Sequence, residues 1–105
     1  MNPSKNKGSR FEREIVDAAK THWLESYRVP LSGSVEGYPG DVVIIDGKDE
    51  RWTVEAKKRA DGFKTLYGWL DNEAIDCLVI GADRAPPLAV LPLGDFLQLL
   101  AERIK

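Results

Sequence analysis

Asp41 and the tripeptide Glu55-Ala56-Lys57 hold the most reactive combination of side chains in this chain. Two carboxylates and an ammonium on adjacent strands are the parts needed to hold a hard divalent cation and cut a phosphodiester. A third carboxylate, Glu12, stands in Lys7-Gly8-Ser9-Arg10-Phe11-Glu12-Arg13-Glu14. Mg²⁺ takes oxygen ligands and keeps several waters. Asp41, Glu55 and the Ala56 carbonyl can supply protein oxygens, and Glu12 can join directly or through water. Mn²⁺ is the expected substitute, being satisfied by the same oxygen donors. Lys57 is then placed to orient a water or to offset charge building on the phosphate.

Glu-x-Lys alone says little, because a chain of this length contains it by chance about one time in three. Context carries the signal. Both residue types are depleted in strand interiors, yet here they close Trp52-Thr53-Val54-Glu55-Ala56-Lys57. Strand alternation puts Glu55 and Lys57 on one face. Such a pair is either a surface ion pair or part of an active site.

The elements that must position these groups can be read from patterning. Residues 1–8 read as a flexible, basic N-terminus with Pro3 and Gly8, and residues 9–105 as a single domain. Ser9 is the expected N-cap of a helix to about Trp23, with an apolar stripe of Phe11, Ile15, Ala18, Ala19 and Trp23. Tyr27–Leu31 is a short strand, and residues 32–40 form a loop rich in Gly, Ser and Pro. Asp41–Ile45 and Trp52–Ala56 are antiparallel strands joined at Asp46-Gly47, a hairpin signal, with the loop extending as far as Glu50. A helix over Phe63–Asn72, strands over Cys77–Ala82 and Leu88–Leu93, and a helix from Gly94 or Asp95 complete the chain. The order α-β-β-β-α-β-β-α implies an α/β fold, a central mixed five-stranded sheet flanked by helices.

Bulk properties exclude several classes. The chain has 105 residues and one cysteine, Cys77. No intrachain disulfide is possible, which suits a reducing cytoplasm. No apolar run reaches the ~18 residues of a membrane span. The formal net charge is −2, so charge distribution matters more than its sum. Lys5, Lys7, Arg10 and Arg13 crowd the N-terminus, and Lys58, Arg59 and Lys64 follow the acidic pair. A basic rim around an acidic metal site attracts phosphates and then places a cation among them. The plainer reading is a solvated charged surface.

Taken together, Lys7-Gly8-Ser9-x-x-Glu12-Arg13, Arg28-x-Pro30-x-Ser32-Gly33-Ser34, Asp41 and Glu55-x-Lys57 resemble the archaeal-type Holliday-junction resolvases of the PD-(D/E)xK nuclease superfamily, with similar short sequences in phages and bacteria. The match covers about the first 60 residues. The literal Pro-Asp is missing, since Gly40 separates Pro39 from Asp41. The resemblance implies a restriction-endonuclease-like fold and a homodimer that nicks two opposed strands of a four-way DNA junction in recombination and repair. It carries Glu12, Asp41, Glu55 and Lys57 over as the active site. It adds a catalytic role for Ser32, and makes Arg13 and Arg28 phosphate-contacting or site-ordering residues. Alternatives are a nuclease of the same fold acting on flaps or duplex DNA, and a catalytically silent DNA-binding module.

The remaining notable residues have ordinary expectations. His22 should complement the C-terminal end of the first helix. Cys77 should be core, and Trp23, Trp52 and Trp69 core or half-buried packing. Phe63, Tyr67 and Leu70 form a helical stripe that is core, or a dimer seam if exposed.

Overall fold

Val42, Val43 and Ile44 are three consecutive buried residues, and the fold is arranged around them. A continuous apolar run of this kind suits a central strand covered on both faces. The computed structural model describes residues 3–30 and 41–105, with side chains from residue 8 onward. Eight elements follow in the expected order: α1 Pro3–Thr21, β1 Glu25–Arg28, β2 Val42–Ile45, β3 Arg51–Val54, α2 Lys64–Leu70, β4 Leu78–Ile80, β5 Leu88–Val90 and α3 Leu93–Glu102. No helix among the described residues is long and apolar enough to cross a membrane.

The chain divides into two compact units, Met1–Lys58 with Leu97–Lys105, and Arg59–Phe96. In the first, β2 lies between β1 and β3, antiparallel to both. Helix α1 packs on β1 and β2. Ile15, Val16 and Ala19 are buried with Leu24, Val29, Leu97 and Leu100, and the Ser26 hydroxyl donates to the Val16 carbonyl at 3.0 Å. In the second unit β4 pairs antiparallel with β5.

The five strands thus form, among the described residues, a three-stranded and a two-stranded antiparallel sheet, not one mixed sheet. A mixed sheet needs a parallel pairing made over a long crossover. Here β4 and β5 are three residues each and close on each other through a local turn, in which Ala85 N–H donates to Ala82 O. Local closure costs little chain entropy.

Helix α1 starts at Pro3, not at Ser9. Proline is pre-set for a first helical turn because its φ is fixed and its missing N–H has no partner to lose there. The helix ends in a Schellman motif: Trp23 N–H donates to Lys20 O and Leu24 N–H to Ala19 O. Trp23 takes the left-handed position of that motif, with φ 63°, and is 96 % exposed, not part of the buried stripe. Glycine normally fills this position, because a Cβ there crowds the following carbonyl. Trp23→Gly is therefore expected to stabilise the protein by up to about 1 kcal/mol, read as a higher Tm in a thermal melt; an unchanged or lower Tm would mean that the indole ring has a compensating contact. His22 meets its expectation, with Nδ1 3.0 Å from the Ala18 carbonyl near the helix end.

The β2–β3 connection is longer than the two-residue turn that Asp-Gly most often makes. Asp49 N–H donates to Asp46 O, Asp46 N–H donates to Glu50 O, and Asp49 holds φ 63°. This is a type I turn followed by a left-handed residue, the usual three-residue hairpin. Gly47 serves a different purpose here. A Cβ on it would lie 1.6 Å from the Arg103 carbonyl oxygen. Its N–H donates to Leu100 O, so the turn sits directly against the end of α3.

In the second unit no residue is buried. The α2 stripe is accordingly not core. Tyr67 is 75 % exposed, and Phe63, Leu66, Tyr67 and Leu70 line an open apolar groove with Val90 and Leu91. Cys77 is exposed, and so are Trp69 and Trp52, so none of the three is core.

Candidate active site

The site is built on the end of the hairpin away from its turn. Strand β3 ends at Val54, one residue before Glu55, so the Glu-x-Lys follows the strand and does not lie within it. The β2–β3 register pairs Val42 with Val54. Asp41 and Glu55 are the residues just beyond this last pair, at the same end of the hairpin. Asp41 N–H donates to Val54 O, and Asp41 Oδ2 accepts the Ala56 N–H at 2.8 Å. The side-chain carboxylate therefore acts as an acceptor at the open end of the ladder. On its other edge the Asp41 carbonyl accepts Val29 N–H at 2.9 Å. Asp41 is thus fixed from both neighbouring strands.

Glu55 and Lys57 form an ion pair at 3.8 Å, both side chains mostly exposed. Glu12 lies on α1 and is largely covered, at 15 % exposure. Its Oε1 accepts a hydrogen bond from Arg28 Nε at 3.1 Å. Arg28 faces Val42 in the sheet, so it ties Glu12 to the end of the sheet where Asp41 precedes β2. No group of three or more His, Cys, Asp or Glu among the described residues lies close enough to hold a metal ion. The structure thus brings Asp41 and Glu55 to the same end of the hairpin, Glu55 beside Lys57, and Glu12 under Arg28, without gathering the three acids into one cluster. The donors at this end are all oxygens, which suits a hard cation, and an ion of the Mg²⁺ type needs only one or two carboxylates alongside water and phosphate.

The basic residues divide. Arg10, Arg13 and Arg59 are exposed. Lys58 is 3.9 Å from Glu14 Oε2 and lies over the Phe11 ring at 5.4 Å, which ties the chain after Glu-x-Lys back to α1. Lys64 pairs with Asp61 at 3.5 Å. Lys5 and Lys7 lie on the first turns of α1, and their side chains, with Ser32 and the rest of residues 31–40, fall outside the described residues.

Sequence reasoning missed one network. Asp46, expected only as a turn residue, is buried. Its Oδ1 accepts the N–H groups of Lys48 and Glu50, and its Oδ2 accepts Trp52 Nε1–H and Arg103 Nη1–H. Arg103 also pairs with Glu50 at 3.0 Å and stacks over Trp52. Nothing in the spacing links position 46 to position 103, so only the fold reveals the contact. Burial pushes the Asp46 carboxyl up; the hydrogen bonds from Trp52, Glu50 and Lys48 and the Arg103 charge outweigh it, and the group lies below its ordinary value. The stability this contributes is present in full above the ordinary Asp value, near ~4, and is lost as pH falls through the lower folded-state value. Tm measured from pH 5 downward should fall more steeply for wild type than for Asp46→Asn; parallel curves would remove Asp46 from the acid response.

An α/β frame with an aspartate just before one strand of a hairpin and Glu-x-Lys just past the other resembles that of the PD-(D/E)xK nucleases. A family model described as "phage putative PDDEXK endonuclease" matches residues 3–104, and the chain belongs to that family. No curated protein and no solved structure matches it.

Proposed function

We propose that this chain is a Mg²⁺-dependent, structure-specific endonuclease that acts as a homodimer and resolves four-way DNA junctions by paired nicks. The observation that carries the hydrolytic reading is the open end of the hairpin, where Asp41 Oδ2 accepts the Ala56 N–H at 2.8 Å and Lys57 lies 3.8 Å from Glu55. Asp41, Glu55 and the Ala56 carbonyl would hold the ion, with Glu12 contributing directly or through water. Bound there, Mg²⁺ supplies phosphate polarisation and a water acidified toward neutral pH. Lys57 offsets charge growing on the phosphate. Arg10, Arg13, Lys58 and Arg59, with Lys5, Lys7, Lys64 and a hydroxyl from Ser32, contact the phosphate backbone and the scissile group.

Support for junction preference is the resemblance in residues 7–57 and the two-fold symmetry that a dimer would share with a four-way junction. The open apolar face of α2 is the seam we assign to that dimer. Phosphate contacts should dominate binding, so affinity falls steeply as salt rises. The test compares cleavage of a four-way junction with a linear duplex of the same arms in Mg²⁺. Junction cutting at least about tenfold faster is expected, equivalent to about 1.4 kcal/mol in the barrier. Equal rates would end the junction claim and leave a nuclease of flaps or duplex. No cutting of any substrate, with binding retained, would leave the silent DNA-binding module.

A further inference from the structure

Ser9 and Glu12 are three residues apart on α1 and so share a face of the helix. One guanidinium from β1 bridges them: Arg28 Nε donates to Glu12 Oε1 at 3.1 Å, and Arg28 Nη2 donates to the Ser9 hydroxyl at 3.2 Å. A single hydrogen bond leaves a planar fork free to swing about that bond. A second bond to a group on the same rigid helix fixes its plane. Glu12 is largely covered and Arg28 is partly so, 15 % and 40 % exposed, so the pair is better shielded from water than the exposed ion pairs of this molecule.

We infer that Ser9 is a positioning residue which, through Arg28, fixes the direction of the Glu12 carboxylate, and that Arg28 serves Glu12 and not a DNA phosphate. This rests on the reading of Glu12 as an outer or direct partner of a divalent ion. Ser9 lies in the interior of α1. Alanine at position 9 is the better helix former, so a serine in the interior of α1 costs helix stability and returns it only through what its hydroxyl touches.

The two roles for Arg28 give opposite signatures. A phosphate contact, when removed, weakens DNA binding and lowers the salt slope by about one. An outer partner of a metal ligand, when removed, weakens metal binding by about ten- to a hundredfold. The experiment measures Mn²⁺ binding by calorimetry without DNA, and DNA binding by fluorescence anisotropy across a salt series in EDTA. Four proteins are compared: wild type, Ser9→Ala, Ser9→Thr and Arg28→Gln.

Arg28→Gln should bind Mn²⁺ about tenfold more weakly, and Ser9→Ala several-fold more weakly. Ser9→Thr, which keeps the hydroxyl, should restore wild-type binding. DNA affinity and salt slope should hold in all four. Unchanged Mn²⁺ binding in Ser9→Ala, or a lower salt slope in Arg28→Gln with metal binding intact, overturns the inference while leaving the nuclease reading in place. A wild type that binds no Mn²⁺ and cuts no DNA removes the reading and the inference together. A circular-dichroism melt of Ser9→Ala at or above the wild-type Tm shows that any loss is not one of folding.

Discussion

Asp41→Asn is expected to lower Mg²⁺-dependent cleavage by about a thousandfold or more, about 4 kcal/mol of transition-state stabilisation, with DNA binding retained. Asparagine has the shape of aspartate and keeps one carbonyl oxygen. That oxygen can still accept the Ala56 N–H that Asp41 Oδ2 accepts at 2.8 Å. The end of the ladder should therefore survive, and only the negative charge of Asp41 is lost. Asp41→Ala is a different experiment, since it also strips the acceptor from Ala56 and loosens the backbone that carries Glu55 and Lys57. Cleavage assays on Asp41→Asn, with a thermal melt alongside, check the prediction. Cutting at the wild-type rate would take Asp41 out of the site and leave it as a ladder cap only.

Gly47→Ala should be the most damaging single-atom addition in the described fold. The new methyl would sit 1.6 Å from the Arg103 carbonyl oxygen and 2.8 Å from its carbon, both main-chain atoms with no rotamer to adopt. Either the hairpin turn or the end of α3 must move. Movement breaks the Gly47 N–H to Leu100 O bond and strains the Asp46–Arg103 contact. A loss of about 2–4 kcal/mol is expected, which for a chain this small corresponds to a Tm lower by about 10 °C or more. Urea or thermal unfolding reads it directly. A variant as stable as wild type would mean that α3 does not seat on the turn.

How much of this was legible in the sequence depends on the range of the interaction. The eight elements and their order were readable because each announces itself locally: the period of Phe11, Ile15, Ala18 and Ala19, the run Val42-Val43-Ile44-Ile45, and the punctuation at Asp46-Gly47. The hairpin that brings Asp41 and Glu55 to one end of the sheet was readable for the same reason, since adjacent strands joined by a short turn pair locally. Strand association was not. Nothing local tells whether Leu78–Ile80 adds to the first sheet or closes on Leu88–Val90, and the short turn between them favours the second. Helix starts misled as well. Ser9 has the chemistry of an N-cap, but a proline upstream is equally able to open a helix, and the Ser9 hydroxyl went to Arg28 instead. Trp23 was misread because its apolar character fits the helical stripe, whereas the Schellman bonds that turn it outward involve only backbone.

The hairpin also works as a ruler. Counting outward from its turn, the pairs run from Asp46 and Glu50 through Val42 and Val54 to the two acids beyond. The residue count inside the turn therefore decides which surface of the sheet each side chain of β3 occupies. One residue more or fewer there would send every one of them to the opposite surface. Length changes elsewhere on the surface leave that alignment alone. The side of the sheet from which Glu55 emerges is thus set at a turn several residues away from it.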